Sequence, residues 1–355
     1  MIKLSVIVAV YNVDKYIEKC INSLLSSMNE FSELILIDDG STDASSEICD
    51  NYSKYENIKV IHQKNSGVSV ARNTGIENST GNWITFVDGD DFVEANFIEK
   101  IIDCINENDT DMLVFNYRAY IDSDNNYECR TVPFSDSKYI TEEKNLFQKR
   151  MISQYYSGGD NKTIVSSGTT WCKVIKRKVL LDNKIRFKPG LIKAQDTIFW
   201  LNATENIESI YYLDKCLYNY RISINSISSG KRFLRNSVKE FDNLISEYLK
   251  FITVMNKDNS FYEALYLRYI QVIMWNIDHN FFNKNNSAQL EVKVDLLKDL
   301  INVEEYETAI NKVEEKYLPF RLKTMIYFLK KKKLKTYYYV YNLYNYLSKI
   351  KNRRK

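Results

Sequence analysis

Proline and glycine are scarce, three and ten in 355 residues. That excludes collagen-like and linker-like sequence, and with 45% hydrophobic and 27% charged residues it excludes a largely disordered chain. The six cysteines (Cys20, Cys49, Cys104, Cys129, Cys172, Cys216) are scattered, with no C-x-x-C pair. A cysteine zinc site or dithiol redox centre is therefore excluded, and a reducing compartment fits. There are two histidines, His62 and His279. The first lies in an apolar, strand-like run and the second among helices, so neither is assigned to a metal. No uncharged apolar run approaches the roughly 20 residues of a transmembrane helix. A strand opening at Leu4 leaves no room for a signal peptide, and a cytoplasmic location is expected. No Gly-x-Gly-x-x-Gly follows the first apolar run, which argues against a dinucleotide oxidoreductase. A basic glycine-rich phosphate loop near the start, which a nucleotidyltransferase would need, is missing too.

Negative charge is absent from one stretch. Residues 316–355 hold thirteen Lys or Arg and no Asp or Glu, so the net charge of +3 conceals −10 over residues 1–315. The acidic body argues against nucleic acid as a partner, whereas the tail can approach an anionic surface.

What is present is regular alternation. Leu4 to Val10 (LSVIVAV) is a continuous β-branched run, the pattern of a strand covered on both faces. Asn12 or Asp14 offers a cap for a helix carrying Tyr16, Ile17, Cys20, Ile21, Leu24 and Leu25 on one face. Glu33 to Ile37 is a second strand, Thr42 or Asp43 caps a helix running to about Tyr55, and Ile58 to His62 is a third strand. A short helix over 68–77, a strand Trp83 to Val87, a helix over 94–107 and a strand Asp111 to Asn116 follow. Such alternation predicts an α/β fold with a mostly parallel sheet flanked by helices. From about Lys231 the spacing of Phe241, Leu244, Ile245, Tyr248, Leu249 and Ile252 turns helical.

Acidic clusters fall just past two strand ends, where open α/β sheets bind ligands. Asp88-Gly89-Asp90-Asp91 places three carboxylates within four residues, a repulsion that a divalent cation beneath a diphosphate would relieve. Gly89 is expected to let the backbone pass close to the ligand, and Asp91 to cap the next helix. Asp38-Asp39-Gly40-Ser41-Thr42-Asp43 combines a strand-to-helix turn with two acids able to accept hydrogen bonds from a base or ribose. Tyr11 offers a stacking face or is an ordinary half-buried aromatic. Arg72 either neutralises a phosphate or braces a site carboxylate.

Four segments together, Ser5–Asn12, Glu33–Asp43, Asn65–Gly75 and Gly81–Asp91, strongly resemble the inverting glycosyltransferases of family 2 in order and spacing. The resemblance is close over 1–117, looser to about 230 and absent beyond. It implies a Rossmann-like GT-A fold, a nucleotide-sugar donor, usually uridine-linked, and Mn²⁺ or Mg²⁺. It implies further that Ala9, Tyr11, Asp39, Arg72, Asp88 and Gly89 line the donor, and that Asp90 with Asp88 serves the metal. Trp171-Cys172-Lys173 resembles a W-x-K segment of the family, which puts Trp171 and Lys173 on the acceptor side. Ala194-Gln195-Asp196 resembles its E-D motif, which makes Asp196 the catalytic base, with Gln195 in place of the usual Glu. Tyr218-Asn219-Tyr220-Arg221 with Ser223 and Ser226 resembles a segment closing over the diphosphate.

The expected organisation is a catalytic domain over 1–230, divided into a donor half (1–117) and an acceptor half (118–230), and a helical region over 231–355. The expected activity is transfer of a sugar to a hydroxyl of a glycan or lipid-linked acceptor in cell-surface polysaccharide synthesis. A nucleotide-sugar-binding module without activity, which Gln195 favours, and a nucleotidyltransferase remain as alternatives. The tail interleaves Tyr and Leu with Lys. It suits either a helix at the inner face of the plasma membrane or a helical hairpin packed on the body. The sequence carries no signal of oligomeric state.

Overall fold

The computed structural model describes residues 3–121, 126–130, 136–156, 168–191, 193–222, 233–315 and 318–353. Ser223 and Ser226 lie outside them, as do the last two tail residues. The chain forms two units, one of Met1–Met151 with Gly159–Ile224 and one of Ile152–Gly158 with Asn225–Lys355.

The first unit begins with β1 (Leu4–Val10), α1 (Asp14–Leu25), β2 (Ser32–Asp38), α2 (Ser45–Asp50), β3 (Ile58–His62), α3 (Val68–Asn78) and β4 (Trp83–Asp88). It continues with β5 (Phe92–Val93), α4 (Phe97–Glu107), β6 (Met112–Ile121), β7 (Asn126–Arg130), β8 (Lys138–Tyr139) and α5 (Lys144–Ile152). It ends with β9 (Lys173–Lys176), α6 (Arg177–Asp182), α7 (Gln195–Glu205) and β10 (Ile210–Ile222). The strands form one sheet in the order β3-β2-β1-β4-β9-β6-β10-β5, with β7 on β6 and β8 on β10.

The expected α/β architecture holds, and the alternating half supplies a parallel run β3-β2-β1-β4. Beyond it the sheet is mixed. β9 enters antiparallel between β4 and β6, so the strand after α4 does not sit beside β4.

β1 is central because it has no polar face to spare. Leu4, Val6, Val8 and Val10 pack with Ile17, Cys20, Ile21 and Leu24 of α1. Ile7, pointing to the other face, meets α3. Burying each such aliphatic side chain contributes about 1.5–3 kcal/mol, so the strand and its two helices are mutually dependent. α3 reaches this close through Gly75, where a Cβ would lie 2.3 Å from Ile7 Cγ2.

Helix starts differ from the expected caps. α1 begins at Val13 with no side-chain cap. Asn12 is left-handed (φ 52°), and its Oδ1 instead accepts Thr42 N–H at 2.7 Å. Asp43 accepts N–H bonds from both Asp14 (3.2 Å) and Ser45 (2.9 Å), serving two helices from one turn. α2 stops at Asp50 rather than near Tyr55, and α4 starts at Phe97 rather than 94.

The second unit holds α8 (Ser237–Val254), α9 (Asn259–Asn276), a π-helical turn Ile277–Phe281, α10 (Leu290–Ile301), α11 (Glu304–Lys312), α12 (Phe320–Lys330) and α13 (Leu334–Arg353). Segment 152–158 belongs here because buried Arg268 donates to the Ile152 carbonyl, and Ser153 donates to Gln271 at 3.0 Å. Asp278 accepts from Arg321 at 2.6 Å and Tyr341 at 2.7 Å, tying α12 and α13 to the π-helical turn. Among the described residues no helix is long and apolar enough to cross a membrane.

Gly75→Ala is expected to lower the unfolding free energy by about 1–3 kcal/mol, because α3 must rise off β1. Urea denaturation measures this, and an unchanged midpoint would show that the two elements are not locked together.

Candidate active site

Parallel pairing brings the acidic turns to one edge. Val10 is opposite Asp38 and Ala9 opposite Asp88, so β1, β2 and β4 end side by side. Tyr11 follows directly and is 47% exposed. Asp39 N–H donates to the Val10 carbonyl at 2.9 Å, fixing the second acidic turn to the first strand.

Asp39 is buried and engaged. One carboxylate oxygen accepts Gln63 Nε2 at 2.7 Å and Ser66 N–H at 2.9 Å, and the other accepts Gly67 N–H at 2.8 Å. It thereby holds the loop that leads into α3. Gly40 is needed beside it. Its φ is +73°, and a Cβ would come 2.8 Å from the Asn65 nitrogen.

α3 carries Arg72 inward to the same edge. Nη2 donates to Asp88 Oδ1 at 2.7 Å and Nη1 to Asp196 Oδ1 at 2.8 Å. One guanidinium thus joins the end of β4 to the first turn of α7, with Asp196 lying 124 residues beyond Arg72 in sequence. Burial alone would pull the Arg72 pKa down, but Asp196 and then Asp88 outweigh it and hold the group charged. Asp196 keeps a quarter of its side-chain surface in solvent, yet burial is the largest influence on it and raises its carboxyl above the ordinary range against Arg72. The α7 amino terminus also favours a carboxylate at that position. Sequence alone left Arg72 between a phosphate contact, a brace and a surface salt bridge; in the structure it is buried and paired with both carboxylates.

The Asp88–Asp91 turn is held from behind. Asp91 does not cap α4. Its carboxylate turns inward and accepts the Tyr218 hydroxyl at 2.5 Å and Arg221 N–H at 2.7 Å. Tyr218 also accepts Asp88 N–H at 3.2 Å, and Arg221 Nε donates to the Asp90 carbonyl at 2.8 Å. Burial first, then Asp88 and Asp90, pushes Asp91 well above the ordinary carboxylate range. Asp90 is also raised, by burial and then by Asp88. Gly89 sits tightly packed: a Cβ there would stand 3.3 Å from both the Ala9 carbonyl and Val13 Cγ2, so a larger residue needs these neighbours to give by a few tenths of an ångström.

Trp171, expected on the acceptor side, is buried and stacks on Tyr218 with centroids 4.8 Å apart and planes at 10°. Its work is to support the aromatic wall under the acidic turn. Lys173 is fully buried on β9 and donates to the Thr169 carbonyl at 2.7 Å. Burial pulls its pKa down to about 7, against the opposing pull of Cys172 and Asp196. Gln195 Oε1 is buried without a hydrogen-bond partner among the described residues. His62 is a structural bridge, 2.9 Å from both Asp38 and Asp50.

Among the described residues no three His, Cys, Asp or Glu side chains form a ready metal cage. The site does fit a divalent ion that takes one or two carboxylates and completes its shell from phosphate and water. Asp88 has one oxygen on Arg72 and one left over, and mutual repulsion with Asp90 favours a cation between them.

The sequence profile of glycosyl transferase family 2 matches residues 5–180. Glycosyltransferase GlyG of Streptococcus pneumoniae is 42% identical over 255 residues, covering 69% of this chain and 80% of that protein. The chain belongs to glycosyl transferase family 2. Glycosyltransferase GlyA of the same organism is 29% identical over 309 residues, 86% of this family-2 chain but only 42% of the length of GlyA. The 1–349 fragment of Staphylococcus aureus TarS, solved also in complex with UDP-GlcNAc, shares the fold with a TM-score of 0.66 at 22% identity. That likeness covers 97% of this chain and 91% of the fragment. Asp196, Tyr218 and Arg221 of the family-2 site lie beyond the matched profile.

Arg72→Ala is expected to cost about 2–4 kcal/mol, less than a fully dry pair because both carboxylates keep solvent contact. The loss should shrink as pH falls, since pairing needs ionised carboxylates, and it should begin shrinking above the ordinary Asp range because Asp196 is raised. Urea denaturation at neutral and acidic pH reads both effects. A pH-independent deficit would deny the ion pairs their role.

Proposed function

We propose that this chain transfers a sugar, with inversion, from a UDP-linked donor to a hydroxyl of a glycan or lipid-linked acceptor in cell-surface polysaccharide synthesis. The observation that carries the reading is Arg72, which ties the donor-side carboxylate Asp88 to Asp196. A charge-holding group and a proton acceptor on one clamp are what a displacement at an anomeric carbon requires.

Tyr11 offers its exposed ring to the base. The oxygens of Asp39 retain lone pairs to accept the base N–H. Asp90 and Asp88 would hold Mn²⁺ or Mg²⁺, which supplies neutralisation of charge on the departing diphosphate. Asp196 accepts the acceptor hydroxyl proton as that oxygen forms its bond to the anomeric carbon and the bond to the diphosphate oxygen breaks. Arg72 orients that carboxylate and keeps it available as a base. Attack opposite the diphosphate inverts the centre, through a transition state with oxocarbenium character. Lys173 and Gln195 flank the base on the acceptor side. The chain works in the cytoplasm at the inner face of the plasma membrane, approached through residues 316–355.

Asp196→Asn should abolish transfer while retaining UDP binding, read by product formation and by calorimetry. Full turnover by this variant would remove Asp196 from the role, and lack of turnover by the unmodified chain with any nucleotide sugar would favour a binding module. Asp90→Ala should weaken Mn²⁺-dependent UDP binding by about tenfold or more, the scale of one lost charge-assisted contact. Equal affinity with and without Mn²⁺ in both proteins would oppose the metal assignment.

A further inference from the structure

Among the described residues, one helix face of the second unit has no partner. α13 docks through Leu334, Tyr337 and Tyr341, all buried, and Tyr341 is anchored on Asp278. On its opposite side Tyr339, Leu343, Tyr346 and Leu347 recur at intervals of four, three and one residues, so they share one stripe. Each is more than half exposed. Large apolar side chains aligned in solvent mark a contact surface rather than ordinary scatter.

We propose that this stripe of α13 lies in the headgroup layer of an anionic lipid bilayer, with the helix parallel to the surface. The inference rests on the membrane-associated reading above and adds the face that inserts. Three observations select a bilayer. First, residues 318–353 contain ten Lys or Arg and no Asp or Glu, and although Arg321, Lys330 and Lys335 pair with Asp278, Glu315 and Glu291, the segment carrying the stripe keeps a net positive charge that complements anionic lipid. Second, Lys331, Lys332 and Lys333 at the α12–α13 turn are exposed, and no ion pair engages them among the described residues. Third, the stripe mixes Tyr with Leu, and tyrosine places an apolar ring and a polar hydroxyl across the headgroup boundary. The helix is too polar to span, which fits a surface position. Apolar insertion and lysine attraction act together, as stable but reversible anchoring requires.

The test uses the full chain and vesicles of phosphatidylcholine with or without phosphatidylglycerol, read by co-sedimentation. The chain should bind only the anionic vesicles. Leu343→Ser with Leu347→Ser should weaken that binding by at least about tenfold at unchanged charge, with far-UV dichroism showing the helices intact. Lys331→Glu with Lys332→Glu should weaken it as well and reduce its salt sensitivity. Binding that the leucine variant leaves untouched would overturn insertion while leaving the electrostatic approach standing. No binding of the unmodified chain would overturn both. Concentration-dependent self-association that the leucine variant abolishes would assign the stripe to a second copy and overturn the bilayer as its occupant.

Discussion

A single guanidinium bridges the two halves of the site. Arg72 is nearly excluded from water and holds one carboxylate from the end of β4 and one from the start of α7. Three charged groups sharing so small a volume are stable only as a set. Remove the arginine and two partly exposed acids are left with no cation between them. Remove either acid and a buried cation loses half its compensation. The rest of the unit places this set. α3 reaches β1 closely because position 75 has no side chain, Asp39 fixes the loop entering α3, and the aromatic wall holds the acidic turn opposite.

The parallel half of the sheet is legible because its signals are local. Strand runs, the turns after them and the helices between them are read within windows of about ten residues, and parallel pairing then puts the turns on one edge. The residues that support that edge were not legible as supports. Asp91 finds its partners 127 and 130 positions away, on a strand whose sequence gives no sign of facing it. Local reading made it a helix cap because Asp before a helix usually is one. The burial of Trp171 is not legible for the same reason: what covers an indole depends on a tyrosine from another strand. The cap of α1 is not legible because Asp43, expected at the start of α2, also accepts the first N–H of α1, a sharing that no single-helix pattern encodes.

Gln195 in place of glutamate has a physical reading. The first turn of α7 already carries Asp196, and Asp88 lies at the other end of the same arginine. A second carboxylate here would add like charge where burial already raises the pKa of Asp196. The neutral amide avoids that, at the cost of a buried oxygen with no donor among the described residues. The negative charge at the start of α7 therefore comes from position 196, and its compensation comes from Arg72 instead of from the neighbouring residue.

The course of β9 through the sheet bears on how the molecule is made. β4 and β6 are consecutive long strands of the first half, yet neither pairs with the other; each waits for β9, and β6 waits further for β10. A nascent chain emerging from a ribosome can lay down β1 to β4 with α1 and α3 early, but that sheet keeps a bare edge until residue 173 has appeared. Asp196, Tyr218 and Arg221 come later still. The growing polypeptide therefore holds a half-built acidic edge, with unpaired carboxylates, for much of its synthesis. Chaperone dependence should track that interval.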